Sequence, residues 1–347
     1  MTAIVLCRTG YDSVMDLVPR RDVFDAYWRF AAERQAIFFR RLRGESPPWS
    51  DDQIIQSFKF CNVYRASDRV SQFLIKSVIY QPDLTAEDTL LRIILFRLFS
   101  KIDTWTHLES THGRIGVRSF DPSVLAETLD SVLAHGKAIY TNAFILSAGE
   151  AFGHRRKHRN HLALVDFMMH DGLSRKLACA QDLESVYQLL IAYPMIGPFM
   201  AYQLAIDINY SELTDFDEND FTMPGPGAER GIKKCFVSTE SWSMPRIVHW
   251  MAEHQEDEFD RLGLEFQSLW GRPLHAIDCQ GLFCEIDKYS RVAFPELRSN
   301  RVRIKTRFTP NTAPVRPFYP PQWGLNDAID ATTPTQSPAE PANRSLR

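Results

Sequence analysis

Apolar side chains recur at intervals of three and four almost everywhere in this chain, as in Leu90, Leu91, Ile94, Leu95, Leu98 and Phe99, or Phe24, Tyr27, Trp28, Ala31 and Ala32. That period matches the turn of an α-helix and not the two-residue alternation of a strand, so an all-α fold is expected. It predicts helices over 22–42, 51–59, 63–80, 86–101, 122–134, 137–148, 161–171, 182–192, 198–208, 227–235, 243–268 (with a possible break) and 275–292. Three starts carry their own signals: Ser50 with Asp51, Thr85 with Glu87 and Asp88 in the first turn, and Asp121 with Pro122 at the first helical position. Arg301, Arg303, Lys305 and Arg307 alternate with Val302, Ile304 and Thr306, which predicts a single edge strand or an extended arm.

A chain of 347 residues, 44% hydrophobic and 24% charged, belongs among ordinary folded proteins. No internal repeat, and no proline- or glycine-rich linker before Thr309, divides it. The expected organisation is an extension at 1–20, one helical domain at 21–328, and a disordered tail at 329–347 without large apolar anchors. No stretch approaches the roughly 18 to 20 apolar residues of a membrane span, and the first twenty residues lack a secretory pattern, so the expectation is a cytoplasmic protein, nuclear in a eukaryotic host. Forty basic against 43 acidic side chains give a net charge of −3, so any contact with a polyanion must come from local basic patches. The six cysteines are scattered without zinc or redox spacing and read as reduced thiols.

Chemistry is expected in a few segments. At Tyr193-Pro194-Met195-Ile196-Gly197 a tight turn joins two amphipathic helices, a helix-hairpin-helix pattern whose free amides can hold a DNA phosphate. A plain helix connection would look similar, and Met195 stands where a second glycine would sharpen the motif. A carboxylate-rich loop from Asp215 to Asp220 then leads into Pro224-Gly225-Pro226-Gly227-Ala228 and the cations Arg230, Lys233 and Lys234. Glycines, a helix start and nearby cations suit a phosphate or pyrophosphate, although the spacing is not that of a P-loop. Gln280, Glu285, Lys288 and Tyr289 have helical spacing that can face a pocket, with solvated salt pairs as the bland alternative. Asn62, Tyr64, Arg65 and Asp68 form a comparable polar set among aromatics, which could equally fasten helices. His154, His158 and His161 have the spacing of a metal face. Arg155, Arg156 and Lys157 crowd the same stretch and favour phosphate instead, so no metal or cofactor is expected. Arg303 in the basic stripe is a further phosphate contact.

Together these segments resemble the alpha-glutamyl/putrescinyl thymine pyrophosphorylase family, which shares its helical module with 5-hydroxymethyldeoxyuridine DNA kinases. The resemblance runs through Phe58 to Val70, Leu95 to Phe99 with Thr104-Trp105, Tyr193 to Tyr210, Pro224 to Ala228 with Gly231 to Lys234, Phe283 to Tyr289, and Phe318 to Gly324. It covers about residues 20 to 325. The chain departs from the family pattern at Gly281, where an amide side chain usually follows the glutamine, and at Ser100, often asparagine.

The resemblance implies a two-lobed helical domain like that of helix-hairpin-helix DNA glycosylases. It implies an enzyme that displaces pyrophosphate from a pyrophosphorylated 5-hydroxymethyluracil in DNA by an amine such as putrescine or glutamate. A partner kinase is implied as well. Pro194, Gly197, Arg155, Arg156, Lys157 and Arg303 would contact the DNA backbone. The base, flipped from the duplex, would meet Asn62, Tyr64 or Phe221 and Gln280. Gly225, Gly227, Arg230, Lys233 and Lys234 would hold the leaving anion, and Arg65, Asp68 and Gln203 complete the expected binding set. Asp220, 23 positions after Gly197, is the expected catalytic aspartate, with Asp207 and Asp217 as rivals and Glu285 and Lys288 as further catalytic groups. The alternatives are a DNA glycosylase for a modified base, or a silent helical module that binds modified DNA.

Overall fold

The computed structural model describes residues 17–141, 149–239, 241–297, 301, 303, 304 and 306–332. In chain order these form β1 (Val18–Pro19), α1 (Arg21–Leu42), α2 (Gln53–Ser57), α3 (Arg69–Phe73), α4 (Ala86–Phe99), α5 (Ile102–His112), α6 (Pro122–Ala134) and α7 (Lys157–His170). There follow α8 (Leu173–Leu177), α9 (Leu183–Ile191), α10 (Pro198–Asn209), α11 (Pro226–Cys235), β2 (Phe236–Ser238), α12 (Met244–Glu253), α13 (Gln255–Arg261), α14 (Ala276–Ala293) and α15 (Asn326–Thr332). The protein is all-α, with one antiparallel pairing of β1 and β2.

The expected caps form. Asp121 accepts from Ser123 N and Val124 N ahead of Pro122, and Thr85 with Asp88 makes a reciprocal capping box. The second start shifts by two residues, because Asp52 and not Ser50 accepts from Ile54 N and Ile55 N. The single helix expected over 63–80 is broken into a 3-10 turn (Arg65–Ser67), α3 and a π-helical stretch (Leu74–Ile79). Residues 243–268 break at His254 and stop at Arg261. Helices α5, α8 and α15 were not anticipated. Lys137–Ile139 are not helical, and the rest of the helix expected to 148 falls mainly outside the described residues.

The buried apolar side chains form one continuous cluster, so the two expected lobes are not separate cores. Helix α14 runs through it, packed by α1, α11 and α12. Two glycines let α11 lie close: a Cβ on Gly231 would sit 2.0 Å from the Phe283 carbonyl oxygen, and one on Gly227 would sit 2.8 Å from Cys284 Sγ. The end of the basic stripe runs beside the exit of α2: Lys59 N donates to Thr306 O and Phe308 N to Ser57 O, around a bridge of Phe58 with Arg307, while Val302 and Lys305 lie outside the described residues. Order passes the expected domain end at 328, since α15 buries Ile329; the tail from 333 and residues 1–16 lie outside the described residues.

Candidate active site

The segment from Phe60 to Asp68 has no regular structure except one 3-10 turn, so its amides need partners from elsewhere. Helix α14 supplies them. Glu285 Oε2 accepts from Cys61 N at 3.0 Å, and Asp278 Oδ1 accepts from Arg65 N at 2.8 Å. Two turns of helix separate these carboxylates, which puts both on one face with the segment strapped along it.

At the outer end of the strap the expected residues Asn62, Asp68, Glu285 and Lys288 come together. Asn62 N donates to Asp68 Oδ1 at 2.8 Å, Asn62 Nδ2 to Ser67 O at 2.6 Å, and Arg34 Nη2 to Asn62 Oδ1 at 3.0 Å. Lys288 Nζ pairs with Glu285 Oε2 at 2.5 Å and lies 5.5 Å from the centre of the Phe60 ring. Burial, reinforced by Glu285, pushes the Asp68 carboxyl up to about 6. Burial works against the charge on Lys288, yet Glu285 beside it holds the ammonium above its ordinary range. Solvent reaches this end, because Cys61 is exposed and Asn62, Asp68 and Lys288 are half-buried. The grouping is a carboxyl poised to exchange a proton near neutral pH beside a fixed cation.

At the inner end the polar groups are shut away. Arg65 donates from Nε to Gln203 Oε1 at 3.0 Å and from Nη2 to Asp207 Oδ1 at 2.8 Å, and Arg97 closes on the same carboxylate. Asp207 is fully buried between two guanidinium groups, which fastens α4, α10 and the strap and removes Asp207 from the catalytic candidates. Arg65 and Gln203 therefore act as fasteners here. Burial, with Glu218 adding repulsion, pushes Asp278 up to about 7; burial also raises Glu218, which pairs with Arg272 at 3.1 Å. Tyr64 is buried too. Its hydroxyl donates to Arg272 O at 2.7 Å and accepts from Leu269 N at 3.2 Å, and its ring stacks on Phe266, so it offers no face to a base.

The glycine-led loop reaches the outer cluster from another side. Gly225 is the N-cap of α11 and Gly197 that of α10; neither is capped by a side chain, and each is followed by proline. A Cβ on Gly225 would lie 2.4 Å from Phe199 Cδ2, two residues past Gly197. Gly227 abuts Cys284, the neighbour of Glu285. A line of contacts thus runs from the hairpin to Cys284 on α14, next to Glu285. The hairpin itself is sharp because Met195 adopts a left-handed φ of 66°, a conformation that glycine normally supplies. Burial pushes the Cys284 thiol up to about 12, so it is no thiolate nucleophile.

Other expected groups are committed elsewhere. Arg230, Lys234 and Arg291 converge on Asp287, at 3.1, 3.0 and 2.6 Å. Burial opposes the Asp287 charge, but bonds from Arg291 and Lys234 outweigh it and hold its carboxyl below the usual range. Of the expected anion-binding cations Arg230, Lys233 and Lys234, Lys233 alone is exposed. Arg156, Arg159 and His158 all meet Asp130, Lys157 lies 4.7 Å from the Tyr140 ring centre, and Arg155 is exposed. His161 bonds the Tyr140 hydroxyl, and no group of three metal-binding side chains occurs among the described residues. Arg303 is exposed and its carbonyl accepts from Arg291. Gln280 is buried on α14. Asp220 is exposed on the loop before α11, its carboxyl raised by slight burial and by Asp217 and Asp182, while Phe221 packs on Tyr187 and Tyr202. Pro194 and Gly197 are exposed at the hairpin.

Sequence reasoning missed Arg34, Asp278, Glu218 and Arg272. Arg34 carried a signal, since it interrupts the buried face of α1 between Ala31 and Phe38. The others were indistinguishable from surface charges.

An all-helical protein with a strapped carboxyl and lysine cluster, and a glycine-led helix start packed on the cysteine beside it, is the class that fold and site define. The family model described as the helical domain of 5-hmdU DNA kinase matches residues 21–299, and the chain belongs to that family. It is 28% identical over 289 residues to a 5-hmdU DNA kinase of Bacillus phage SP10, covering 77% of this chain and 45% of that protein. The chain therefore spans less than half the length of this relative. No solved structure matches. Among the described residues no helix is long and apolar enough to cross a membrane.

Proposed function

We propose that this protein modifies a 5-hydroxymethyluracil-derived base in DNA, replacing a pyrophosphate on the base's methylene group by an amine. The observation that carries the reading is the grouping of Asp68, Glu285 and Lys288, with the uncapped start of α11 packed on Cys284 next to Glu285, in a chain of the 5-hmdU DNA kinase helical family. In the step proposed, the amine lone pair forms a C–N bond to the methylene carbon. The C–O bond to pyrophosphate breaks and its electron pair leaves with the pyrophosphate. The proton lost by the amine passes to ionised Asp68. Lys288 and the amides of α11 stabilise the departing anion, with Lys233 outside. Gly197 and Pro194 hold the DNA backbone, joined by Arg155 and Arg303. Asn62 positions Asp68 through its own amide. The amine is putrescine, glutamate or a similar donor, and the phosphate is installed by a kinase activity outside these residues.

Asp220 is the group that favours the rival reading, because it is exposed and follows the hairpin at the place where a glycosylase carries its aspartate. Asp68→Asn and Asp220→Asn, each assayed for DNA binding and for turnover, separate the two. The proposal expects Asp68→Asn to bind DNA normally and to lose turnover by roughly 10²-fold or more. Full turnover in Asp68→Asn would refute the role of Asp68. Base release that disappears only in Asp220→Asn would establish a glycosylase. Turnover absent from the wild-type chain, with binding of modified DNA intact, would leave a recognition module.

A further inference from the structure

Beside Arg34, α1, α2 with the turn before it, and the C-terminal arm line a half-open cavity of about 240 Å³. Its walls are largely apolar and aromatic, with Ile37, Trp49, Ile55, Phe58, Phe60 and Phe308 among them. No aspartate or glutamate lines it, whereas two arginines do, Arg34 and Arg41. Both guanidinium groups are incompletely used. Arg34 is 9% exposed and its Nη1 is buried with no hydrogen-bond partner, and Nε of Arg41 is likewise buried and unpaired. Buried guanidinium N–H groups are normally satisfied, and leaving one unpaired costs more than an ordinary missing hydrogen bond. Two of them in one acid-free wall make a site for a carboxylate or phosphate oxygen, which a guanidinium binds in its own plane. The remaining wall suits a short apolar body.

We propose that this cavity binds a small molecule with an apolar body and one anionic head, a carboxylate or a phosphate, its head held by Arg34 and Arg41. The site stands apart from the base-modification reading, since binding there needs neither DNA nor turnover. Arg34 reaches both places, donating through Nη2 to Asn62 while its Nη1 remains for the ligand. An occupant would therefore be sensed at Asn62 and Asp68.

Calorimetric titration of the full chain with hexanoate, hexyl phosphate and hexylamine tests the assignment. One-site binding of at least one anionic probe is expected, with hexylamine inert. The tighter of the two anions identifies the head group. Arg41→Gln keeps the fold, because among the described residues the Arg41 side chain is tied only to the Asn311 carbonyl and the Trp49 face. It should weaken the anion by roughly 10- to 100-fold, the worth of a charged hydrogen bond. Failure of both anions to bind, equal binding of hexylamine, or unchanged affinity in a folded Arg41→Gln would overturn the proposal.

Discussion

Asp68 and Asp207 show how differently one residue type is used within a few ångströms of the strap. Asp207 has no exposure and neutralises both Arg65 and Arg97, so Asp207→Ala strands two buried cations and should cost about 3–5 kcal/mol in a denaturant titration. Asp68 is reached by solvent and its carboxyl stands near 6. If its ionised form accepts the amine proton, kcat/KM referred to the concentration of unprotonated amine should climb tenfold per unit below about pH 6 and level off above it. A pH profile flat across that region would remove Asp68 from the chemistry. Asp278, pushed up to about 7, has a different signature. Unfolded, it titrates near the ordinary value, so between about pH 4 and 7 the folded state holds the extra proton and stability falls as pH rises. In Asp278→Asn that part of the slope should be missing from melting curves taken across the range.

At the scale of elements, two glycines in helices make opposite predictions. Gly231 faces the Phe283 carbonyl across the α11–α14 contact, where backbone cannot yield, so Gly231→Ala should destabilise by about 2–3 kcal/mol. Gly281 sits within α14 with open space where its Cβ would be, and Gly281→Ala should stabilise by about 0.5–1 kcal/mol. Thermal melts of the two variants check both signs. The same helices mark what could be read in advance. Capped elements such as α4, α6 and α9 were legible because apolar residues at helical spacing and a side-chain cap both act locally. The segment 63–80 was not. Its periodicity is helical, but Glu285 takes the amide of Cys61 and Asp278 that of Arg65 from far along the chain, which straps the start of the segment to α14.

Over the whole molecule, the candidate residues were legible as types and spacings, and their partners were not. Asn62, Asp68, Glu285 and Lys288 do converge, whereas Arg230 and Lys234, which look like anion ligands in sequence, spend their charge on Asp287. Which cations stay available depends on acids more than 50 positions away, and no local pattern reports that. What the fold contributes is a line of contacts from the hairpin at Gly197, through Phe199 with Gly225, to Gly227 against Cys284, the chain neighbour of Glu285. The central claim is that DNA held at one end of this line is modified at the other.

Its most direct test is mass spectrometry of nucleosides recovered after DNA carrying pyrophosphorylated 5-hydroxymethyluracil is incubated with the protein and either putrescine or glutamate. The account predicts a nucleoside with the amine joined to the methylene carbon, pyrophosphate released in equal amount, and neither product with Asp68→Asn. Recovery of free base with abasic DNA, or of the starting nucleoside unchanged with both amines, would contradict it.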